Sequence, residues 1–336
     1  MKVVVCEEPG RLALIDRTRP TPKEGEVLVQ IRRIGVCGTD FHIFGGKHPF
    51  LEYPRVMGHE LSGTVVTTPE GSALEPGQNV YIVPYLSCGR CLACRKGLTN
   101  ACQNIRVLGV HCDGGMAEFL AVPQQNVVPV GDTSLDDAAM IEFLAIGAHG
   151  VKRGSVTSAD RVLVVGSGPI GMSATIFAKA QGAKVTVMDT RDDRLAFAVD
   201  HLGADLILHA DSSAEQRVKQ STDGDGFDVV IDATGNVAAM ERGFGFLAHG
   251  GRYVLVSVVR GNVTFSDPEF HKREATLLAS RNAQPHDFAE VVRQMQAGKV
   301  PTRALNTHHG PLAQAPELFS MWMDPGAGVI KAILEI

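Results

Sequence analysis

Between Gly35 and Gly63 the chain reads GVCGTDFHIFGGKHPFLEYPRVMGHELSG. This stretch holds a thiol at Cys37, a hydroxyl at Thr39, an imidazole at His42, and an imidazole beside a carboxylate at His59 and Glu60. Thiolate, imidazole and carboxylate are the ligand types that zinc takes. A lone buried cysteine is ordinarily just a small hydrophobe. Here it shares one short segment with His42, His59 and Glu60, and flanking glycines let the backbone turn and approach closely. Cys37 and His59 are the firm protein ligands for a catalytic ion, which needs one position open for substrate. The third ligand is Glu60 or Glu142. Neighbours in an extended chain point opposite ways, so Glu60 reaches the ion only if the backbone turns there. Glu142 sits among Ile141, Phe143, Leu144 and Ile146, and a carboxylate in such company wants a partner. A second cluster, Cys88, Cys91, Cys94 and Cys102, has the spacing C-x2-C-x2-C-x7-C. Four thiolates so spaced close a tetrahedron about one zinc and leave no open position, which makes a structural site.

A third constellation is Gly166-Ser167-Gly168-Pro169-Ile170-Gly171, after the apolar run RVLVV and before a helical pattern. In that context G-x-G-x-x-G is a dinucleotide fingerprint: the glycines permit the turn, the pyrophosphate approach and tight helix packing. Asp189 ends the next run, KVTVMD, where its carboxylate would accept from the adenosine ribose hydroxyls and repel a ribose phosphate. The cofactor expected is therefore NAD rather than NADP.

The composition sets limits on everything else. A length of 336 residues suggests about two domains. The net charge of −5 offers no basic field for nucleic acid. The opening MKVVVCEEPG is too short an apolar run for a signal peptide. The longest charge-free stretch, Val162 to Ala178, contains the glycine fingerprint and reads as nucleotide fold rather than membrane span. The expectation is a soluble, cytoplasmic enzyme without nucleic-acid or membrane partners. Of seven cysteines, four lie within fifteen residues, a clustering that in a reducing compartment binds metal more often than it forms disulfides.

These side chains need elements to hold them. Lys2 to Cys6 and Leu12 to Ile15 read as paired strands about Pro9-Gly10. Glu26 to Arg33 alternates with period two, and Leu61 to Thr68 and Asn79 to Pro84 continue the strand-rich part. Leu135 to Val151 has helical spacing, with Asp136 and Asp137 near its start. From Arg161, strands and helices alternate in βαβ order, implying a parallel sheet. After Ser280 come two short helical patterns and a final strand in VIKAILEI.

GVCGTDFH and GHELSG match the first-ligand and GHExxG motifs of the zinc-dependent medium-chain alcohol and polyol dehydrogenases, and the chain resembles that family over nearly its whole length. It looks closest to the sugar-acid and polyol branch, with sorbitol, threonine and L-galactonate dehydrogenases and the starvation-sensing type. SDPEFHKRE is the stretch most particular to the L-galactonate enzymes. The resemblance implies an α/β chain: a GroES-like catalytic domain with both zinc sites in 1–146, a Rossmann doubly wound NAD domain in 147–281, and a return segment in 282–336. It implies a homodimer or homotetramer. Glu142 is similar to a glutamate that polyol and threonine dehydrogenases place at the metal, although Phe143 stands where they carry proline. Arg194 is expected over the adenine and Thr234 beside the nicotinamide half.

Thr39, His42, Glu60 and Arg281 make the expected catalytic set. Zinc acts on the substrate hydroxyl as a Lewis acid. Thr39 and then His42 carry the proton away, and hydride goes to NAD. The expected substrate is an aldonate such as L-galactonate, oxidised at a secondary hydroxyl, with a neutral polyol or threonine as alternatives. A desolvated carboxylate needs a cation. Arg281 offers a planar fork where a return segment would border an inter-domain cleft, Asn282 offers neutral donors, and Lys47 and His48 are other cations. A non-catalytic zinc- and nucleotide-binding regulator would need no open zinc, and a quinone reductase would lack both metal sites.

Overall fold

Pro9-Gly10 turns the chain between β1 (Lys2–Glu8) and β2 (Arg11–Asp16), which pair antiparallel. Residues 1–47 and 51–336 are described by the computed structural model. The chain forms two units, Met1–Glu142 with Thr302–Ile336, and Phe143–Pro301.

The first unit is built on β3 (Glu26–Val36). Val27, Val29 and Ile31 are buried as the alternation predicts. Leu28 is buried too, so this end of the strand is covered on both faces. α1 (Gly38–Phe44) follows directly, capped by the Cys37 side chain. β4 (Glu60–Thr67) and β5 (Asn79–Ile82) continue the sheet. β6 (Tyr85–Leu86), α2 (Leu92–Arg95) and β7 (Arg106–Val107) frame the cysteine loop, whose ends meet where β6 and β7 pair. β8 (Phe119–Pro123), β9 (Val127–Pro129), α3 (Leu135–Ala138) and α4 (Ile141–Arg153) follow. The single helix expected from Leu135 to Val151 is thus two. The last turn of α3 tightens into an i→i+3 bond from Met140 N to Asp137 O (3.0 Å), which closes it before α4 starts.

In the second unit the order is β10 (Arg161–Val165), α5 (Pro169–Ala180), β11 (Lys184–Asp189), α6 (Asp192–Leu202), β12 (Leu206–His209) and α7 (Ala214–Ser221). It goes on with β13 (Phe227–Asp232), α8 (Val237–Gly243), β14 (Leu247–Leu255), α9 (Asp267–Lys272), β15 (Thr276–Ala279) and α10 (Pro285–Gln296). The six strands are parallel, in the order β12-β11-β10-β13-β14-β15. Val162 to Val165 are all buried, because helices cover both faces of such a sheet. Full burial of each such side chain is worth about 1.5–3 kcal/mol. The strand order reverses beside β10, a switch point at whose carboxyl end ligands bind.

α11 (Thr302–Leu305), β16 (Asn306–Pro311), α12 (Ala315–Trp322) and β17 (Lys331–Glu335) belong to the first unit. β17 lies antiparallel beside β3, with Ile333 opposite Gly35, giving the sheet order β16-β17-β3-β4-β5-β9, and β8 pairs with β3 as well. Phe319 of α12 stacks edge-on against Phe41 and Phe44 of α1, at 5.5 and 5.8 Å. The first unit thus ends at Glu142 and resumes at Thr302, whereas the sequence reading places the junctions after residues 146 and 281. α10 stays with the second unit because Asp287 in its first turn is bound to His149 of α4 at 2.8 Å. Among the described residues no helix is long and apolar enough to cross a membrane.

Candidate active site and metal centres

The backbone does turn before Glu60. Gly58 has φ +91°, a left-handed conformation that suits glycine, and His59 lies ahead of the first residue of β4. The side chains of His59 and Glu60 reach one common cluster. One ligand atom each of Cys37, His59 and Glu60 lies within 4.8 Å of the other two. Cys37 Sγ is 3.2 Å from His59 Nε2. Zinc bonds of about 2.3 Å to sulfur and 2.0 Å to nitrogen put tetrahedral ligand atoms roughly 3.5 Å apart, so this pair fits zinc.

The surroundings fix these ligands. Cys37 Sγ accepts from Thr39 N at 3.1 Å. Asp40, fully buried, accepts from the backbone N–H of Cys37 (3.0 Å) and Gly58 (3.3 Å), and its Oδ1 faces His59 Nδ1 at 3.8 Å. Carboxylates behind metal-ligating histidines orient the ring in this way. Burial works against charge on His59, but Cys37 and Asp40 outweigh it and push the imidazole pKa well above its ordinary value.

Glu60 and Lys331 are both fully buried. Lys331 Nζ lies 2.8 and 2.6 Å from the two Glu60 oxygens and donates to Val36 O at 3.3 Å. Glu142, also buried, accepts from the Tyr85 hydroxyl. Burial raises the Glu142 carboxyl; His59 counters this and Glu60 adds to it, with a net rise. Thr39 and His42 stand three apart on α1, a spacing that shares a helix face, and His42 is exposed.

In the cysteine loop all four thiol sulfurs lie within 4.8 Å of one another. Cys91 Sγ is 3.5 Å from Cys94 Sγ and 3.9 Å from Cys102 Sγ. Tetrahedral zinc with sulfur bonds of about 2.3 Å sets sulfurs roughly 3.8 Å apart, so the donor set fits a closed site. Backbone N–H groups of Arg90 and Cys91 bring the Cys88 thiol down to about 6, which favours the thiolate that zinc needs. Cys6 is buried and pushed up to about 11, and Cys112 is raised by burial, as inert thiols are.

At the fingerprint, Gly168 is the N-cap of α5 and Pro169 its first residue. A Cβ on Gly171 would sit 1.7 Å from Gly166 O, so only glycine allows the helix to pack on the turn. A Cβ on Gly168 would meet nothing within 4 Å, and this open space lies at the helix N-terminus, where phosphates bind. Asp189 Oδ2 accepts from Ser167 N (2.6 Å) and Oδ1 from Arg191 N (2.9 Å), which fixes the carboxylate beside the turn. Arg194 is buried, and burial lowers its pKa. Thr234 is held by Asp232, which accepts from its N–H (2.9 Å) and hydroxyl (2.8 Å). Ile170 lies half-buried in the first turn of α5. The fingerprint residues and Asp189 therefore come together in the second unit.

Arg281 is exposed between β15 and α10 of the second unit, followed by Asn282 at φ +52°. Lys47 is exposed, and His48 lies outside the described residues. Sequence reasoning missed Asp40, Tyr85 and Lys331. Asp40 stands three residues after the N-cap Cys37, at capping-box spacing. Lys331 is the one charge in the apolar run VIKAIL, a hint of a buried partner. Tyr85 carries no comparable local signal.

Comparison with known proteins agrees with this architecture. Residues 23–132 match the family model of the alcohol dehydrogenase GroES-like domain, and residues 169–297 match that of the zinc-binding dehydrogenases. The L-galactonate-5-dehydrogenase of Escherichia coli (strain K12) is 41% identical over 335 residues, spanning 99% of this chain and 98% of that enzyme. The 2-dehydro-3-deoxy-L-galactonate 5-dehydrogenase of Pseudoalteromonas atlantica is 30% identical over 318 residues, 94% of this chain and 92% of the other. A solved alcohol dehydrogenase of Escherichia coli CFT073, complexed with NADH, is 30% identical with a TM-score of 0.94, covering 100% of this chain and 99% of that one.

A parallel nucleotide-binding sheet together with a GroES-like unit that carries zinc-type ligand clusters defines a zinc-binding dehydrogenase. The chain belongs to the zinc-dependent medium-chain alcohol and polyol dehydrogenase family, whose cofactors are zinc and a nicotinamide dinucleotide.

Proposed function

We propose that this enzyme oxidises a secondary hydroxyl of a sugar acid, an L-galactonate-like aldonate, with NAD as acceptor. The observation that carries the reading is the 41% identity, over 99% of the chain, to an L-galactonate-5-dehydrogenase. Cys37, His59 and Glu60 hold the catalytic zinc, with Glu60 favoured as third ligand over Glu142 because its oxygen lies in the same cluster. Bound there, zinc would supply Lewis-acid activation of the substrate hydroxyl, and NAD would supply the hydride acceptor. Thr39 accepts the hydroxyl proton and passes it to His42, whose exposed ring releases it to water. Cys88, Cys91, Cys94 and Cys102 hold the structural zinc.

Arg281 is the proposed cation for the substrate carboxylate. The test is steady-state kinetics on the aldonate and its corresponding alditol. Arg281→Ala is expected to lower kcat/KM for the aldonate by roughly 10- to 100-fold, since a hydrogen bond to a charged group is worth about 1.5–3 kcal/mol, and to leave the alditol nearly unchanged. Equal loss on both substrates would remove Arg281 from this role. A wild type that prefers the alditol would overturn the sugar-acid reading.

Asp189 is the proposed determinant of NAD preference. Its carboxylate is fixed by two backbone N–H groups, and Arg191, two residues on, is tied to Asp193 at 2.9 and 2.6 Å rather than free for a phosphate. Asp189→Gly is expected to cut the NAD-to-NADP ratio of kcat/KM about tenfold or more. A wild type that runs equally well on both cofactors would disprove this role.

A further inference from the structure

The catalytic and cofactor sites leave His149 of α4 unused. Its Nδ1 is 2.8 Å from Asp287 Oδ2, and the other carboxylate oxygen, Oδ1, is 3.0 Å from His286 Nε2. One ligand atom of each of the three lies within 4.8 Å of the other two. His149 and Asp287 are buried, whereas the His286 side chain is 44% exposed. The carboxylate is held in place: Gln284 N donates to Asp287 Oδ2 at 2.8 Å in the capping box that starts α10. Burial alone would raise the Asp287 carboxyl, but His149 and the Gln284 N–H outweigh it and keep it below the usual range. It is therefore an anion at neutral pH.

In an octahedral site, two donors at right angles, each about 2.1 Å from the ion, lie roughly 3.0 Å apart. Both N···O separations match that value. They suit an ion chelated by both oxygens of Asp287, with one imidazole on either side. A purely structural histidine needs only one carboxylate oxygen. Here each oxygen faces an imidazole, and the two imidazoles come from different helices. Two imidazoles and a carboxylate suit borderline divalent transition ions over magnesium or calcium. The exposed edge at His286 gives the ion a way in and leaves positions for water.

We propose that His149, His286 and Asp287 form a third metal site, in the second unit, that takes one exchangeable Zn2+, Co2+ or Ni2+ ion and ties α4 to the start of α10. The test is a titration of the holoenzyme, with its two zinc ions retained by elemental analysis, using Co2+ alone. Calorimetry and the visible absorption of Co2+ are the readouts. The wild type is expected to take up one further equivalent. His286→Ala, which alters an exposed side chain and keeps the fold, should weaken that binding at least tenfold, and Asp287→Asn should abolish it. His309→Ala, which removes another surface histidine, should leave it unchanged. Absence of a further equivalent in the wild type, or unchanged uptake by His286→Ala, overturns the proposal.

Discussion

Cys37→Ser is expected to lower kcat/KM about 10³- to 10⁴-fold and to leave the melting temperature close to that of the wild type. The loss follows from chemistry. A serine hydroxyl does not ionise near neutral pH, so the cluster with His59 and Glu60 loses its thiolate. Lewis-acid activation is worth several kcal/mol, and each 1.36 kcal/mol is about tenfold in rate. The preserved fold follows from geometry. Cys37 is the N-cap of α1, accepting from Thr39 N, and serine is among the best N-cap residues. Elemental analysis should then return one zinc per chain, the one in the cysteine loop. Cys94→Ser should behave in the opposite way. It opens the closed site and loosens the loop between β6 and β7, with a drop in stability as its first effect. Full activity in Cys37→Ser, or in wild-type protein that carries a single zinc, would sink the assignment.

Lys331→Met is expected to cost about 3–5 kcal/mol of stability. Both members of the Lys331–Glu60 pair are shut off from solvent, and Lys331 Nζ contacts both carboxylate oxygens. Removing the ammonium takes from a buried anion the cation that contacts both of its oxygens, which is the costly case. Replacing both charges is far cheaper, so Lys331→Met combined with Glu60→Gln should recover more than half of the loss. Urea midpoints of the two single variants, the double variant and the wild type form the cycle that measures this. If the effects simply add, the pair does not stabilise the fold in the way its geometry implies.

Much of this site could be read in the sequence, because its ligands are close together in the chain. The C-x2-C-x2-C-x7-C loop, Cys37 with His59, and the glycine fingerprint are local patterns, and each is a compact cluster in the structure. The residues that were not legible act at long range. Lys331 meets Glu60 across 271 positions because β17 returns beside β3, and no local spacing encodes that register. Tyr85 reaches Glu142 over 57 positions, again beyond the range of a local pattern. Whether Glu60 joins Cys37 and His59 depends on the local backbone path from Gly58 to Glu60, which composition does not fix. The helix from Leu135 to Val151 kept its apolar spacing through a break, since α3 and α4 both bury residues there.

The return of β17 to the side of β3 also bears on how the protein is made. A nascent chain emerges from the ribosome with Glu60 long before Lys331, 271 positions later, can reach it. Until β17 arrives, the strand that ends at Val36 has an open edge, and a carboxylate destined for a dry interior lacks its ammonium partner. Burial of Glu60 with its counter-ion thereby waits on the synthesis of β17. A chain cut short before Lys331 lacks the ammonium that pairs with Glu60, and its exposed strand edge marks it for chaperones and proteases.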